Sequence, residues 1–246
     1  MKHAIPTDAL LTLSGVHTHI GAYHILHGVD LVVARGQLTM LLGRNGAGKT
    51  TTLRTIMGLW HASQGKVVFD GKAITAAETP DIAGLDIAYV PENMGIFADL
   101  TVKENMLLAA RSAKTAAQMD ESRLQWIFKL FPAVEKFWHH PAGKLSGGQK
   151  QMLAVSRAIV EPRDLLIIDE PSKGLAPAII QNMIDAFQQL KASGVTILLV
   201  EQNIHFAQQL GDTVAVMDNG RVVHAGRMQA LTEDTALQQS LLGLAL

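Results

Sequence analysis

The chain has 246 residues, enough for one large α/β domain or for a domain carrying an inserted subdomain. Its 48% apolar and 17% charged residues suit a well-packed core, and a formal net charge of −1 argues against binding nucleic acid by broad phosphate neutralisation. No apolar run reaches the roughly eighteen residues that span a bilayer, and zero cysteines exclude disulfides and thiolate metal sites.

Met1 to Asp8 lacks the apolar stretch of a signal peptide, which predicts retention in the cytoplasm. Leu10 to Leu42 reads as short β segments punctuated by Gly15, Gly21, Gly28 and Gly36. Leu38–Leu42 reads as a buried strand, and Lys49–Leu59 as a helix behind a glycine loop. Further strands are expected at 66–71 and 87–90. From about 101 to 160 helices dominate, with apolar residues at helical spacing over 102–111, 118–131 and 146–160. Strand-like runs return at 165–168, 195–200 and 214–217, with a helix over 177–191 between the first two. This alternation predicts a mainly parallel sheet, and Asp218-Asn219-Gly220-Arg221 predicts a hairpin turn.

Three motifs carry chemistry. The first, Gly43-Arg44-Asn45-Gly46-Ala47-Gly48-Lys49-Thr50, has the Gly-x4-Gly-Lys-Thr spacing of a phosphate-binding loop. Its glycines let backbone N–H groups converge on an anion. Lys49 brings a point charge to the β- and γ-phosphates, and Thr50 a hydroxyl for Mg²⁺. With Thr51, these residues form the candidate ATP-binding stretch. The second, Leu165-Leu166-Ile167-Ile168-Asp169-Glu170, ends an apolar strand in two carboxylates. Asp169 is a candidate Mg²⁺ ligand, directly or through water, and Glu170 a candidate to orient or deprotonate the attacking water. The third, Ser146-Gly147-Gly148-Gln149, opens an amphipathic helix with a capping serine and exposed N–H groups, a second anion site in a chain that already has one.

In this order the motifs resemble the ATP-binding cassette (ABC) ATPases of membrane transporters, over essentially the whole chain from Leu11 onward. The resemblance implies a P-loop ABC-ATPase fold, α/β, with a RecA-like core, an antiparallel β subdomain and an inserted helical subdomain. The chain then divides into one catalytic core with its β subdomain, about 1–94 and 161–246, and a helical subdomain, about 95–160. In that family Ser146, Gly147, Gly148 and Gln149 are expected to complete the ATP site of an opposing subunit in a head-to-tail dimer.

Finer matches lie at Tyr89-Val90-Pro91-Glu92, Leu100–Asn105, Glu170–Pro177 and Leu199–Asn203. They are similar to the smaller ATPase subunit of branched-chain amino-acid-type importers. This branch implies a related but distinct ATPase partner (a homodimer being the other arrangement), two permease subunits and a periplasmic binding protein. It places the chain peripherally on the cytoplasmic side of a bacterial inner membrane. Branched-chain amino acids are the family's default cargo, with urea, small carboxylates and other amino acids left open. A regulatory subunit that uses ATP to dimerise, with weak hydrolysis of its own, is the competing reading.

Several positions depart from the family pattern. Glu92 stands where a glutamine contacts the metal or water and senses the permease; a carboxylate still coordinates Mg²⁺ but adds negative charge by the γ-phosphate. Gln202 replaces the switch histidine, able to donate a hydrogen bond but not to carry a proton charge. His205, one turn onward, reads as an ordinary helix histidine. Ala176 replaces an aspartate of the loop after Glu170. Lys173 stands where an aliphatic residue is usual, and the sequence offers no account of it. The adenine-stacking tyrosine aligns with Ile20; Tyr23 either substitutes for it or packs in a β corner. His17, His19, His24 and His27 lack carboxylate company at ligand spacing and read as hydrogen-bonded or solvated.

Overall fold

Residues 8–111, 113, 115 and 118–243 are described by the structure, a computed structural model of the chain. The segment read for a missing signal peptide, residues 1–7, lies outside the described residues apart from Asp8. Two long antiparallel strands open the fold, β1 (Ala9–Ile20) and β2 (Tyr23–Ala34), where short segments were expected. Gly15 and Gly28 lie inside these strands at φ +56° and +82°, and the β1–β2 register shifts between Leu13 and Val16. These glycines thus bend continuous strands, as bulges do, and do not end them.

β3 (Leu38–Gly43) leads through the glycine loop into α1 (Lys49–Ile56), which stops at the left-handed Gly58, three residues short of the expected end. β4 (Ala62–Phe69), β5 (Lys72–Ala73), α2 (Thr79–Gly84) and β6 (Ile87–Val90) follow. Then come α3 (Val102–Ala109), α4 (Glu121–Leu130), α5 (Pro132–Lys136) and, after a 3-10 turn at Ala142–Lys144, α6 (Gly147–Ala158). Side-chain caps set three of these starts: Thr101 and Glu104 form a capping box on α3, as do Ser146 and Gln149 on α6, and Asp120 accepts from the Arg123 amide on α4. The chain ends with β7 (Leu165–Asp169), α7 (Pro177–Ala192), β8 (Thr196–Glu201), α8 (Ile204–Leu210), β9 (Thr213–Asp218), β10 (Arg221–Arg227), α9 (Met228–Glu233) and α10 (Thr235–Leu242).

The strands make two sheets. One is antiparallel, in the order β2-β1-β4-β5; the other runs β10-β9-β3-β8-β7-β6, all parallel except the edge strand β10. The central strands are buried on both faces, which is why they read as unbroken apolar runs. Leu165, Ile167, Leu198 and Val200 face the antiparallel sheet and α1, while Leu166, Ile168, Ile197 and Leu199 face the large helical layer. That second cluster extends into α3–α6, so the helical segment shares the sheet's core. Among the described residues no helix is long and apolar enough to cross a membrane.

Candidate functional site

The site is assembled by strand register. β3, β8 and β7 are parallel neighbours, with Leu42 paired to Glu201 and Val200 paired to Asp169. Their carboxyl ends therefore deliver the glycine loop, Glu201-Gln202 and Asp169-Glu170 to one level, the place where an open α/β sheet binds ligands. β6, beside β7, brings Glu92 just past its own end. The resulting pocket, about 380 Å³, is lined by Ile25, Asn45, Gly46, Gly48, Lys49, Thr50, Thr51, Glu92, Glu170 and Lys173.

Within the glycine loop the glycines have different reasons to be glycine. A Cβ on Gly43 would meet the Met217 carbonyl oxygen at 2.4 Å, so this position serves packing against β9. Gly46, at φ +79°, has open space around it and leaves the loop face clear for an anion. Gly48 takes φ +104° and starts α1 without a side-chain cap, leaving its first amides directed at the pocket. Lys49 Nζ donates to the carbonyls of Gly43 (2.8 Å) and Arg44 (3.1 Å) and lies 3.5 Å from Glu170 Oε1. Arg44 is exposed and its guanidinium leans against Gly243, away from the pocket lining; Ala47 is buried beneath the loop.

Asp169 is 1% exposed, and neither carboxyl oxygen makes a hydrogen bond of ordinary geometry, although Thr50 is close enough to draw its pKa downward. Burial dominates, pushing that pKa up to about 6, with Glu170 and Glu92 adding to the rise. A buried carboxylate without a partner is costly, and its pairing with a threonine hydroxyl offers the all-oxygen ligands a hard divalent cation takes. Asp169 and Thr50 therefore fit Mg²⁺.

Glu170 holds φ +48°, a left-handed conformation that costs about 1 kcal/mol or more for such a residue. The turn it makes lifts its carboxylate from the strand end toward donors. Gln202 Nε2 donates to Oε1 at 2.5 Å, and Lys173 Nζ lies 3.4 Å from Oε2. Lys173 also donates to Glu92 Oε1 at 2.5 Å. That hydrogen bond, then the charges of Glu170 and Glu92, hold the ammonium above its usual pKa.

The sequence reading missed three residues of this site. Glu201 is 2% exposed and accepts backbone N–H bonds from Ser172 (2.9 Å), Gln202 (3.0 Å) and Asn203 (3.2 Å), while burial raises its pKa. Its signal was present: a carboxylate ending an apolar strand, as Asp169 does. Ile25 borders the pocket where Ile20 or Tyr23 was weighed for the base; Tyr23 is 76% exposed and shares the face of β2 with Ile25, two residues away. Lys173 lines the pocket with Glu92.

Ser146–Gln149 are not among the residues lining this pocket. Gly148 packs so closely on α7 that a Cβ would meet Ile179 Cγ2 at 2.6 Å, whereas Gly147 has nothing within 4 Å. Ala176 starts α7 with no side-chain cap, and His205 is an exposed helix residue hydrogen-bonded to Gln209. His17 and His19 stack on His24, His27 lies tilted against it, and His17 Nδ1 lies 3.0 Å from His24 Nε2. Among the described residues no group of three or more histidine, cysteine or acidic side chains is arranged to hold a metal.

A second cleft, about 710 Å³, lies beyond Glu92 and is lined by Arg54, Leu59, Trp60, Tyr89, Pro91, Glu92 and Asn93. Trp60 Nε1 is buried without a hydrogen bond. Tyr89 Oη makes none of ordinary geometry, although Arg54 is close enough to draw its pKa downward, and burial pushes the phenol up to about 12, with Asp169 adding to the rise.

Residues 26–173 match the protein-family model described as ABC transporter. A high-affinity branched-chain amino acid transport ATP-binding protein of Pseudomonas aeruginosa, BraG, is 37% identical over 234 residues, covering 95% of this chain and 100% of that one. A probable branched-chain amino acid transport ATP-binding protein of Archaeoglobus fulgidus, LivF, is 35% identical over 222 residues, 90% of this chain and 93% of the relative. A crystal structure of the ADP conformation of an ATP-binding cassette from an ABC transporter superposes with a TM-score of 0.80 at 26% identity, covering 97% and 100% of the two chains. Phosphate loop, paired carboxylates and detached glycine-rich helix start thus have their explanation together: this chain belongs to the ABC transporter family, as an ATP-binding cassette that hydrolyses ATP.

Proposed function

We propose that this cassette energises an importer for branched-chain amino acids or related small polar solutes, working as one ATPase of a head-to-tail pair. The observation that carries the catalytic reading is the carboxylate of Glu170, turned out of β7 by its positive φ and surrounded by Gln202, Lys49 and Lys173. Lys49 and the loop amides hold the phosphates, Tyr23 and Ile25 flank the base, and Glu170 takes the proton of the attacking water. Gln202 donates to Glu170 and holds its carboxylate in line. Thr50 and Asp169 would hold Mg²⁺, with Glu92 as a further oxygen, and the ion would supply positive charge that stabilises the developing charge on the phosphates.

Ser146 and Gly147 of this chain close over the partner's triphosphate, and the partner's equivalent closes over Lys49. The γ-phosphate is the differential contact, because it joins the protomers before hydrolysis and is lost after it. Residues 95–160 move as the helical subdomain, hinged near Glu92, and the cleft lined by Arg54, Leu59, Trp60 and Tyr89, with the unpartnered Trp60 Nε1, receives a permease. We assign the cassette to the cytoplasmic side of a bacterial inner membrane, where the permease holds it and a periplasmic binding protein supplies cargo. The names of the relatives support the cargo class.

The test is reconstitution with the permease, the partner ATPase and the binding protein in vesicles. Uptake of leucine, isoleucine or valine with coupled ATP turnover is expected. Tight ATP-coupled uptake of an unrelated solute alone would overturn the cargo class and leave the ATPase reading standing.

A further inference from the structure

Lys173 departs from the family pattern without a reason legible in linear order, and its place in the fold supplies one. The turn after β7 closes with the Lys173 amide donating to the Glu170 carbonyl at 3.2 Å, which folds the side chain back over the carboxylate three residues earlier. Its ammonium then lies 2.5 Å from Glu92 Oε1 and 3.4 Å from Glu170 Oε2, at the rim of the phosphate pocket. Three carboxylates, Asp169, Glu170 and Glu92, crowd a site that must accept a triphosphate. Without compensation, a carboxylate at Glu92 repels that ligand and its own neighbours. A surface pair of this kind adds little to folding stability, since Glu92 and Lys173 side chains are 44% and 56% exposed. Its position over the pocket gives it a different use.

We propose that Lys173 is a positioning residue for hydrolysis, an ammonium that ties Glu92 to Glu170 and offsets the negative charge Glu92 brings to the γ-phosphate end. Glu92 and Lys173 act as one unit, a carboxylate–ammonium pair across two loops. The bridge also joins the hinge carboxylate of the helical segment to the base, so displacement of Glu92 is felt at Glu170 without passing through the sheet. This inference rests on the assignment of Glu170 and Glu92 to the hydrolytic end of the site.

The test is a double-mutant cycle on the full chain using Lys173→Met, Glu92→Gln and both together, with Lys173→Arg as the conservative control. Affinity for ATP is measured by fluorescent-nucleotide titration, with Mg²⁺ and again in EDTA, where charge on Glu92 is least screened. Lys173→Met should weaken binding in EDTA about tenfold, Lys173→Arg less than about twofold, and Lys173→Met in the Glu92→Gln background less than about twofold. In turnover with the partner ATPase, Lys173→Met should lower kcat more than it raises KM, and Glu92→Gln should restore much of the loss. An equal loss of affinity in both Glu92 backgrounds, or no loss in either, overturns the proposal. Failure of the Glu170 assignment has a separate signature, normal turnover in Glu170→Gln, which leaves the binding cycle readable.

Discussion

The carboxyl ends of β3, β8 and β7 and the amino end of α6, the two anion sites of the proposed cycle, are built in opposite ways. The first is dense with charge: Lys49, Asp169, Glu170, Glu201, Glu92 and Lys173 lie within a few hydrogen bonds of one another. The second has no acidic group in its first turn; Ser146 and Gln149 cap each other, and Gly147 is open. One end is organised to do chemistry and carries an unsatisfied acid to do so. In the proposed cycle the other is approached from outside, and its cap closes within its own helix. A charged site is fragile to substitutions that change protonation, and an open one to substitutions that fill space.

Glu170→Gln breaks the comparison most severely. With the partner ATPase present, turnover should fall about 1,000-fold, roughly 4 kcal/mol in barrier, while an ATP-held dimer survives on a sizing column. Wild-type turnover in that variant removes Glu170 from the role of base.

Asp169→Asn should show the stored cost. The folded pKa, about 6, lies above the ordinary 3.8, so protonation favours folding between those values. The penalty is absent below about pH 4, grows as pH rises toward 6 and is constant above. At pH 7.5 and without Mg²⁺ or nucleotide, the variant should be more stable by up to about 3 kcal/mol in urea unfolding, an advantage gone by pH 4. Equal stability at pH 7.5 contradicts this. MgATP affinity should fall in the same variant, because the cost is held in place for the metal.

Gly147→Ala tests the open end. Folding stability should change by less than about 0.5 kcal/mol and ATP affinity by less than about twofold, while turnover of the assembled pair drops about 30-fold, or 2 kcal/mol. Loss of ATP binding by this chain itself would argue against action on the partner's site. Gly148→Ala differs because Ile179 stands in its way; it should destabilise the fold by about 1–2 kcal/mol in the isolated chain. Thermal unfolding of the two variants side by side separates the packing glycine from the open one.

Much of this was readable beforehand because it is local. The glycine loop, the apolar strand ending in Asp169-Glu170 and the capping box at Ser146 each declare themselves within a dozen residues. Long strands were harder, since Gly15 and Gly28 look like chain breaks and only the paired register shows them as bends. The short helices α2 and α5 each begin with a proline in the first turn and run for only six and five residues, too short for a helical period to emerge. Lys173 and Glu201 stayed hidden for a different reason. The first depends on a turn that sends it 81 positions away to Glu92, and the second on the parallel register that sets β8 beside β7. Neither relation exists in linear order.

The three amides that converge on Glu201 come from two loops, one after β7 and one after β8. Bound to a single carboxylate, those loops form one lever with a buried pivot. In the proposed cycle, a tug on Gln202 as the terminal phosphate leaves turns Ser172 as well, and with it the segment leading to Ala176 and the start of α7. Hydrolysis would then be reported to the start of α7 by leverage through one buried carboxylate.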